Sequence, residues 1–170
     1  MKTNRFVLFL RSMTLLALFI VVPARAADGF YFGATGMLAS SGAPGFDDAI
    51  NAGAVLGYEF LNVGVGDIAI EGSFTTSVSK GETGANQKWS LDTLSGYGVL
   101  RSAGPIYLKG KAGFTGWEFD TPGAGRDGTD FSWGLGVGFS FAIGQLEFEY
   151  TKIANDIDFY GVTLNIKTPK

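Results

Sequence analysis

The chain of 170 residues contains no cysteine and no histidine. Without cysteine there is no disulfide to hold a small exported fold together, so its stability has another source. Without histidine there is no imidazole general base, and any acid–base chemistry would fall to a tuned carboxylate or lysine. Basic residues are scarce as well. Lys2, Arg5, Arg11 and Arg25 are four of the thirteen Lys and Arg, and they precede position 27; this leaves nine against sixteen acidic residues, a net charge of −7. So acidic a chain is a poor ligand for nucleic acid, which rewards basic patches. After the N-terminal segment there is no helical periodicity and no apolar run as long as a spanning helix.

What is present begins with that segment. A basic start leads into the apolar run Met13–Val22, followed by "PARA" with small residues at Ala24 and Ala26. This is the pattern of a secretory signal peptide, residues 1–26, cut after Ala26. Arg11 leaves the apolar run too short for an uncleaved anchor of roughly 20 residues. Residues 27–170 then form one domain.

That domain reads as about eight strand-like runs separated by turn chemistry. They are Phe30–Met37, Ala49–Phe60, Asp67–Val78, Trp89–Arg101, Ile106–Trp117, Asp130–Ile143, Gln145–Ile153 and Ile157–Lys167. Longer connections (Ala39–Asp48, Ser79–Lys88, Glu118–Thr129) alternate with short ones at "LNVGVG", "SAGP" and Gly144. An up-and-down barrel with two unlike rims gives this alternation, and outer-membrane barrels have short periplasmic turns and longer outer loops.

Periodicity alone does not decide which face is outside, but the sixth run favours the apolar one. Phe131, Trp133, Leu135, Val137, Phe139 and Phe141 alternate with Ser132, Gly134, Gly136, Gly138 and Ser140. The period of two belongs to a β-strand. At about 3.3 Å per residue this apolar face is roughly 33 Å long, or about 25 Å high after a tilt of ~40°, the height of a lipid-facing band. Aromatics at both ends match interfacial girdles, extended by Phe148 and Tyr150 in the next run. Glycines (Gly33, Gly53, Gly57, Gly96, Gly98 and Gly113 among them) would leave room in a narrow lumen for long polar groups. Glu71, Lys109, Lys111, Glu147 and Glu149 stand at the intervening positions and are the candidate lumen charge network. Their plain reading is interior ion pairing, because an unpaired buried charge is very costly. The fourth run leaves its facing open: Leu91, Tyr97 and Val99 suggest one outward parity, Leu94 and Leu100 the other.

With "GFYFGATG" opening the domain, "YLKGKAGF" in the fifth run and "YGVTLNI" at the end, the chain resembles the small outer-membrane β-barrel proteins of the OmpA/OmpX type. The resemblance covers Ala27 to Ile166. It implies an all-β fold: an eight-stranded antiparallel up-and-down transmembrane β-barrel in the bacterial outer membrane of a Gram-negative cell. It also implies that Gly161, Leu164 and Ile166 form the signal read by the barrel-assembly machinery. Ile166 stands where the family usually has an aromatic, and Phe159 where a polar residue is usual. Enzymes of this size class resemble one another in using an active-site histidine, and that mechanism is closed to this chain.

The resulting expectation is a non-enzymatic surface or structural barrel without cofactor or metal, whose partners are outer-membrane lipid, the assembly machinery and an unspecified ligand of the outer loops. Two alternatives stand beside it. One is a narrow pore. The other is a soluble periplasmic barrel with Phe139, Phe141, Phe148 and Tyr150 lining an apolar lumen. "GLGVGF" lacks the spacing and the helix of a nucleotide loop. Asp120, Asp127 and Asp130 lack the spacing of a calcium loop and read as solvated. Trp89, Trp117 and Trp133 read as interfacial anchors near outer strand ends.

Overall fold

The computed structural model describes residues 29–42, 45–83, 87–121, 124–154 and 156–168. The expected signal peptide, residues 1–26, lies outside the described residues. The strands are β1 (Phe30–Ser41), β2 (Ala49–Asn62), β3 (Gly66–Ser79), β4 (Gly81–Glu82), β5 (Lys88–Ser102), β6 (Ile106–Thr121), β7 (Ala124–Phe141), β8 (Gly144–Ala154) and β9 (Ile157–Lys167). Neighbours run in the order β3-β2-β1-β9-β8-β7-β6-β5-β4, and β3 also pairs with β5. That second pairing, from Gly66↔Ser102 to Thr75↔Thr93, closes eight strands into an antiparallel barrel. The two-residue β4 is a small addition against the start of β5, through Gly81↔Trp89 and Glu82↔Lys88.

Both described chain ends lie at one rim, where Tyr31 of β1 faces Lys167 of β9. This rim also carries the short turns, and Gly64 and Gly104 supply the positive φ (79° and 118°) two of them need. The opposite rim carries the other connections. The expected loop Glu118–Thr129 is mostly strand. Glu118 pairs with Asp127, Asp120 with Gly125 and Thr121 with Ala124, so β6 and β7 run on together as a hairpin. Its glycines and aspartates imitate a loop, but Trp117 and Phe119 pack against the interior and hold it.

Side-chain facing follows the pleat. The odd positions Phe131 to Phe141 all lie on the outer surface, between 37% exposed at Val137 and 61% at Phe131 and Leu135. Phe148, at 44%, points outward too, and Tyr150 packs against Trp133 and Tyr160 on that surface. The soluble alternative, which needs Phe139, Phe141 and Phe148 in the lumen, is thereby overturned. In β5 the facing is settled: Leu91, Tyr97 and Val99 are buried inside, and Leu100 is exposed. Gly96 and Gly98 share the parity of Leu100, so they sit on the outer surface and leave no room in the lumen.

Trp89 and Trp117 also depart from the anchor reading. Trp89 is 1% exposed and belongs to an apolar cluster with Met37, Leu91, Ile153 and Phe159 inside the long-connection end of the barrel. Its indole N–H donates to the Asp47 carbonyl (3.0 Å), and its ring stacks on Phe119 at 5.2 Å. Trp117 packs against the same cluster and donates to Asp130 Oδ2 at 2.7 Å. The apolar Phe159 therefore sits in this cap, which explains the departure from a polar residue there. Inward parity overrode the terminal position that suggested an interface.

Deleting a buried indole from the cap leaves a cavity. Trp89→Ala is expected to lower stability by about 3–5 kcal/mol, the usual range for a core Trp or Phe. Trp133→Ala, on the outer surface, should cost clearly less. Urea unfolding in detergent micelles measures both; equal losses would contradict the cap.

Candidate functional site

The lumen below the cap holds the chain's buried polar chemistry, in two layers. The layer beneath the cap is made of hydroxyls and an amide. Thr75 and Thr93 share a hydrogen bond (2.8 Å), and Asn51 donates to Thr75 Oγ1 (3.2 Å) and to the Leu91 carbonyl (2.7 Å). Tyr97, Thr115, Ser95 and Ser132 form a second group at 2.8–3.0 Å. A void of about 10 Å³, lined by Thr75, Thr93, Lys111, Thr151 and Phe159, lies between this layer and the cap. That is room for about one water molecule.

Nearer the short-turn rim lies an ionic layer of three cations and three carboxylates. Glu71 on β3 accepts from Tyr31 Oη (2.9 Å), Arg101 Nη2 (3.2 Å) and Lys109 Nζ (3.1 Å). Glu147 on β8 accepts from Arg101 Nε (2.8 Å), Tyr107 Oη (2.7 Å), Lys109 Nζ (2.8 Å) and Asn165 Nδ2 (3.1 Å). Glu149 pairs with Lys109 (2.7 Å) and Lys111 (2.6 Å). The Arg101 guanidinium also lies 4.7 Å from the Tyr31 ring centre, and the Lys111 ammonium 4.7 Å from that of Tyr97. All six charged side chains are at most 4% exposed. At the mouth of this layer Glu59 pairs with Lys167 at 2.8 Å.

Strand alternation builds the layer. Tyr107, Lys109 and Lys111 follow one another at spacing two on β6, as Gln145, Glu147 and Glu149 do on β8, so each trio points inward. Two glycines make room for the tyrosines. A Cβ on Gly57 would overlap the Tyr31 ring, and one on Gly138 the Tyr107 ring. The five charged residues singled out from the sequence are thus brought together in one cluster. Arg101, Tyr31, Tyr107 and Asn165 complete it and were not among them. Arg101 has the parity of Leu91, Tyr97 and Val99, so the signal was there once the facing of β5 was known.

The layer's chemistry is closed. Each carboxylate meets at least two cationic or hydroxyl donors, and Lys109 contacts all three carboxylates. The charges balance locally, as burial requires. Among the described residues, the space inside the lumen beside these groups is the void of about 10 Å³ next to Lys111. Of the other sites singled out, Gly161 packs against Met37 on the inner side of β9. Leu164 and Ile166 face outward at 48% and 42% exposure.

Breaking the layer on one side strands a buried charge, which costs about 3–5 kcal/mol. Glu147→Gln is expected to destabilise by this amount. Adding Lys109→Met, which restores the balance, should recover part of the loss. A double-mutant cycle by urea unfolding in micelles checks it; strict additivity would contradict a coupled layer.

The sequence and fold were compared with known proteins. Among curated proteins no sequence match is found. Solved structures with the same fold include Ail, the attachment invasion locus protein of Yersinia pestis, in complex with the heparin analogue sucrose octasulfate. It is 12% identical with a TM-score of 0.58, over 81% of this chain and 94% of that one. Neisserial surface protein A is 16% identical with a TM-score of 0.54, over 83% and 98%. The N-terminal β-barrel domain of Pseudomonas aeruginosa OprF is 12% identical with a TM-score of 0.52, over 80% and 96%. The family model for the outer membrane protein beta-barrel domain matches residues 12–167. Closed barrel, apolar outer face and ionic lumen agree with that match, and the chain belongs to the family of outer membrane protein beta-barrel domains.

Proposed function

We propose that this integral outer-membrane barrel is a non-enzymatic, non-conducting surface protein whose working part is the rim of longer connections. The observation that carries this reading is the lumen: an apolar cap above, hydroxyls in the middle and a saturated ionic layer below, with a void of about 10 Å³ between. A pore needs a continuous aqueous path, and a catalyst needs an accessible reacting group; this interior supports neither. The termini face the periplasm, and Gly161, Leu164 and Ile166 on the last strand serve as the assembly signal.

The rim's charge bears on its partner. Asp47, Asp48, Glu82, Asp92, Glu118, Asp127 and Asp156 are all exposed there, against Lys80, Lys88 and Arg126. Ail is seen with a polyanion. A polyanion would be repelled from an acidic rim, so the partner here is neutral or cationic, a protein surface of complementary charge being the simplest.

Three measurements test this. The protein should fractionate with outer membranes and run at a different position on a gel when unboiled. Reconstituted into planar bilayers, it should give no steady conductance. Sucrose octasulfate should show no heat of binding by calorimetry. Recovery in the soluble periplasmic fraction, stable single-channel currents or saturable polyanion binding would each contradict the corresponding part.

A further inference from the structure

The two polar layers of the lumen meet at the void of about 10 Å³, which Thr93, Ser95, Lys111 and Thr151 border together with the apolar Ile153 and Phe159. Among the described residues no hydrogen bond joins the hydroxyl layer to the ionic layer; each bonds within itself or to backbone. Two groups at the void keep hydrogen-bonding capacity. Thr151 is 2% exposed, and its Oγ1 has no hydrogen-bond partner among the described residues. A buried hydroxyl left unbonded is rare and costly. The Lys111 ammonium carries three N–H donors. It meets Glu149 Oε2 at 2.6 Å and lies 4.7 Å from the centre of the Tyr97 ring, and among the described residues it has no other ion-pair or hydrogen-bond partner. The two groups are close to each other. A Cβ built on Gly134 would lie 2.9 Å from Lys111 Cε and 2.9 Å from Thr151 Oγ1. The two atoms are thus no farther apart than two hydrogen bonds of about 2.9 Å, the span that one bridging water covers. Glycine at 134 keeps that place free, since a side chain there would also meet the Tyr150 carbonyl at 2.7 Å.

We infer that the void is a binding site for one ordered water molecule, which accepts a hydrogen bond from the Lys111 ammonium and donates one to Thr151 Oγ1. Its second proton goes to a hydroxyl oxygen of Thr93 or Ser95. A polar void of this size with two to four partners is what a buried water needs. A neutral occupant fits the charge: the ionic layer has three cations for three carboxylates, and an added ion would be buried without a counter-charge. The water is then the hydrogen-bonded link between the two layers, and it holds Lys111 in place beside Glu149. One bridging molecule below the apolar cap leaves the lumen without a continuous aqueous path.

Crystals of the whole barrel grown with bromide as the halide test occupancy and identity together. The expected result is a single density peak within hydrogen-bond distance of Lys111 Nζ and Thr151 Oγ1, without anomalous signal. An empty void, or an anomalous bromide peak in it, would overturn the inference. Thr151→Val gives a second readout, because a wet and a dry void predict opposite signs. The substitution removes the hydroxyl at nearly constant volume. With water in the void, it takes away a bonded hydroxyl: the midpoint of urea unfolding in micelles falls, and the density peak is lost. With a dry void, it takes away an orphaned hydroxyl, and the midpoint holds or rises. A midpoint that holds or rises, or a peak that persists in Thr151→Val, would overturn the inference. Thr151→Ser, which keeps the hydroxyl, should keep the peak, and its loss there would equally count against a bridge through Oγ1.

Discussion

The pairing of β3 with β5 removes the last free edge of the sheet. Every other feature depends on it. A backbone amide or carbonyl left unpaired in hydrocarbon costs several kcal/mol, and only helices and closed barrels avoid that penalty. No helix among the described residues is long and apolar enough to cross a membrane, so closure is the route open to them. Closure fixes an inside and an outside, and the two-residue pleat then assigns each side chain to one of them.

The inside is narrow. Eight strands enclose little more than their own side chains, so the lumen is filled rather than left open. The filling is layered. Ions occupy the end near the short turns, hydroxyls the middle, and Trp89, Leu91, Ile153 and Phe159 the far end. Like meets like in each layer: three cations match three carboxylates, most hydroxyls bond to one another, and apolar groups pack together. Glycine does part of this work from opposite strands, at Gly57 beneath Tyr31 and at Gly138 beneath Tyr107. A larger residue at either place would push a hydrogen-bonding tyrosine out of the ionic layer.

Much of this was legible in the sequence because period two is a strong signal where one face is uniformly apolar. β7 declares itself in that way, and Lys109, Lys111, Glu147 and Glu149 declare the lumen by their spacing. β5 did not, because apolar residues lie on both of its faces: Leu91, Tyr97 and Val99 fill the lumen while Leu94 and Leu100 take the outer parity. Arg101 was missed with it. The apolar cap was also hidden. A tryptophan near a strand end looks the same in sequence whether it anchors at an interface or closes a lumen, and only the parity of Trp89 within β5 separates the two. The β6–β7 extension was hidden by Gly and Asp, residues that usually end strands but here are carried by the packing of Trp117 and Phe119 against the cap.

Sidedness is the central claim, and the chain is well suited to a direct test because it has no cysteine of its own. Single cysteines at Leu135, Val137, Leu100 and Leu164 would carry a nitroxide spin label in protein reconstituted into bilayers. Collision with oxygen, which partitions into hydrocarbon, is compared with collision with a water-soluble relaxation agent. The account predicts labels at all four positions open to oxygen and shielded from the aqueous agent. Labels at these positions that are reached by the aqueous agent and shielded from oxygen would contradict it, and would turn the barrel inside out.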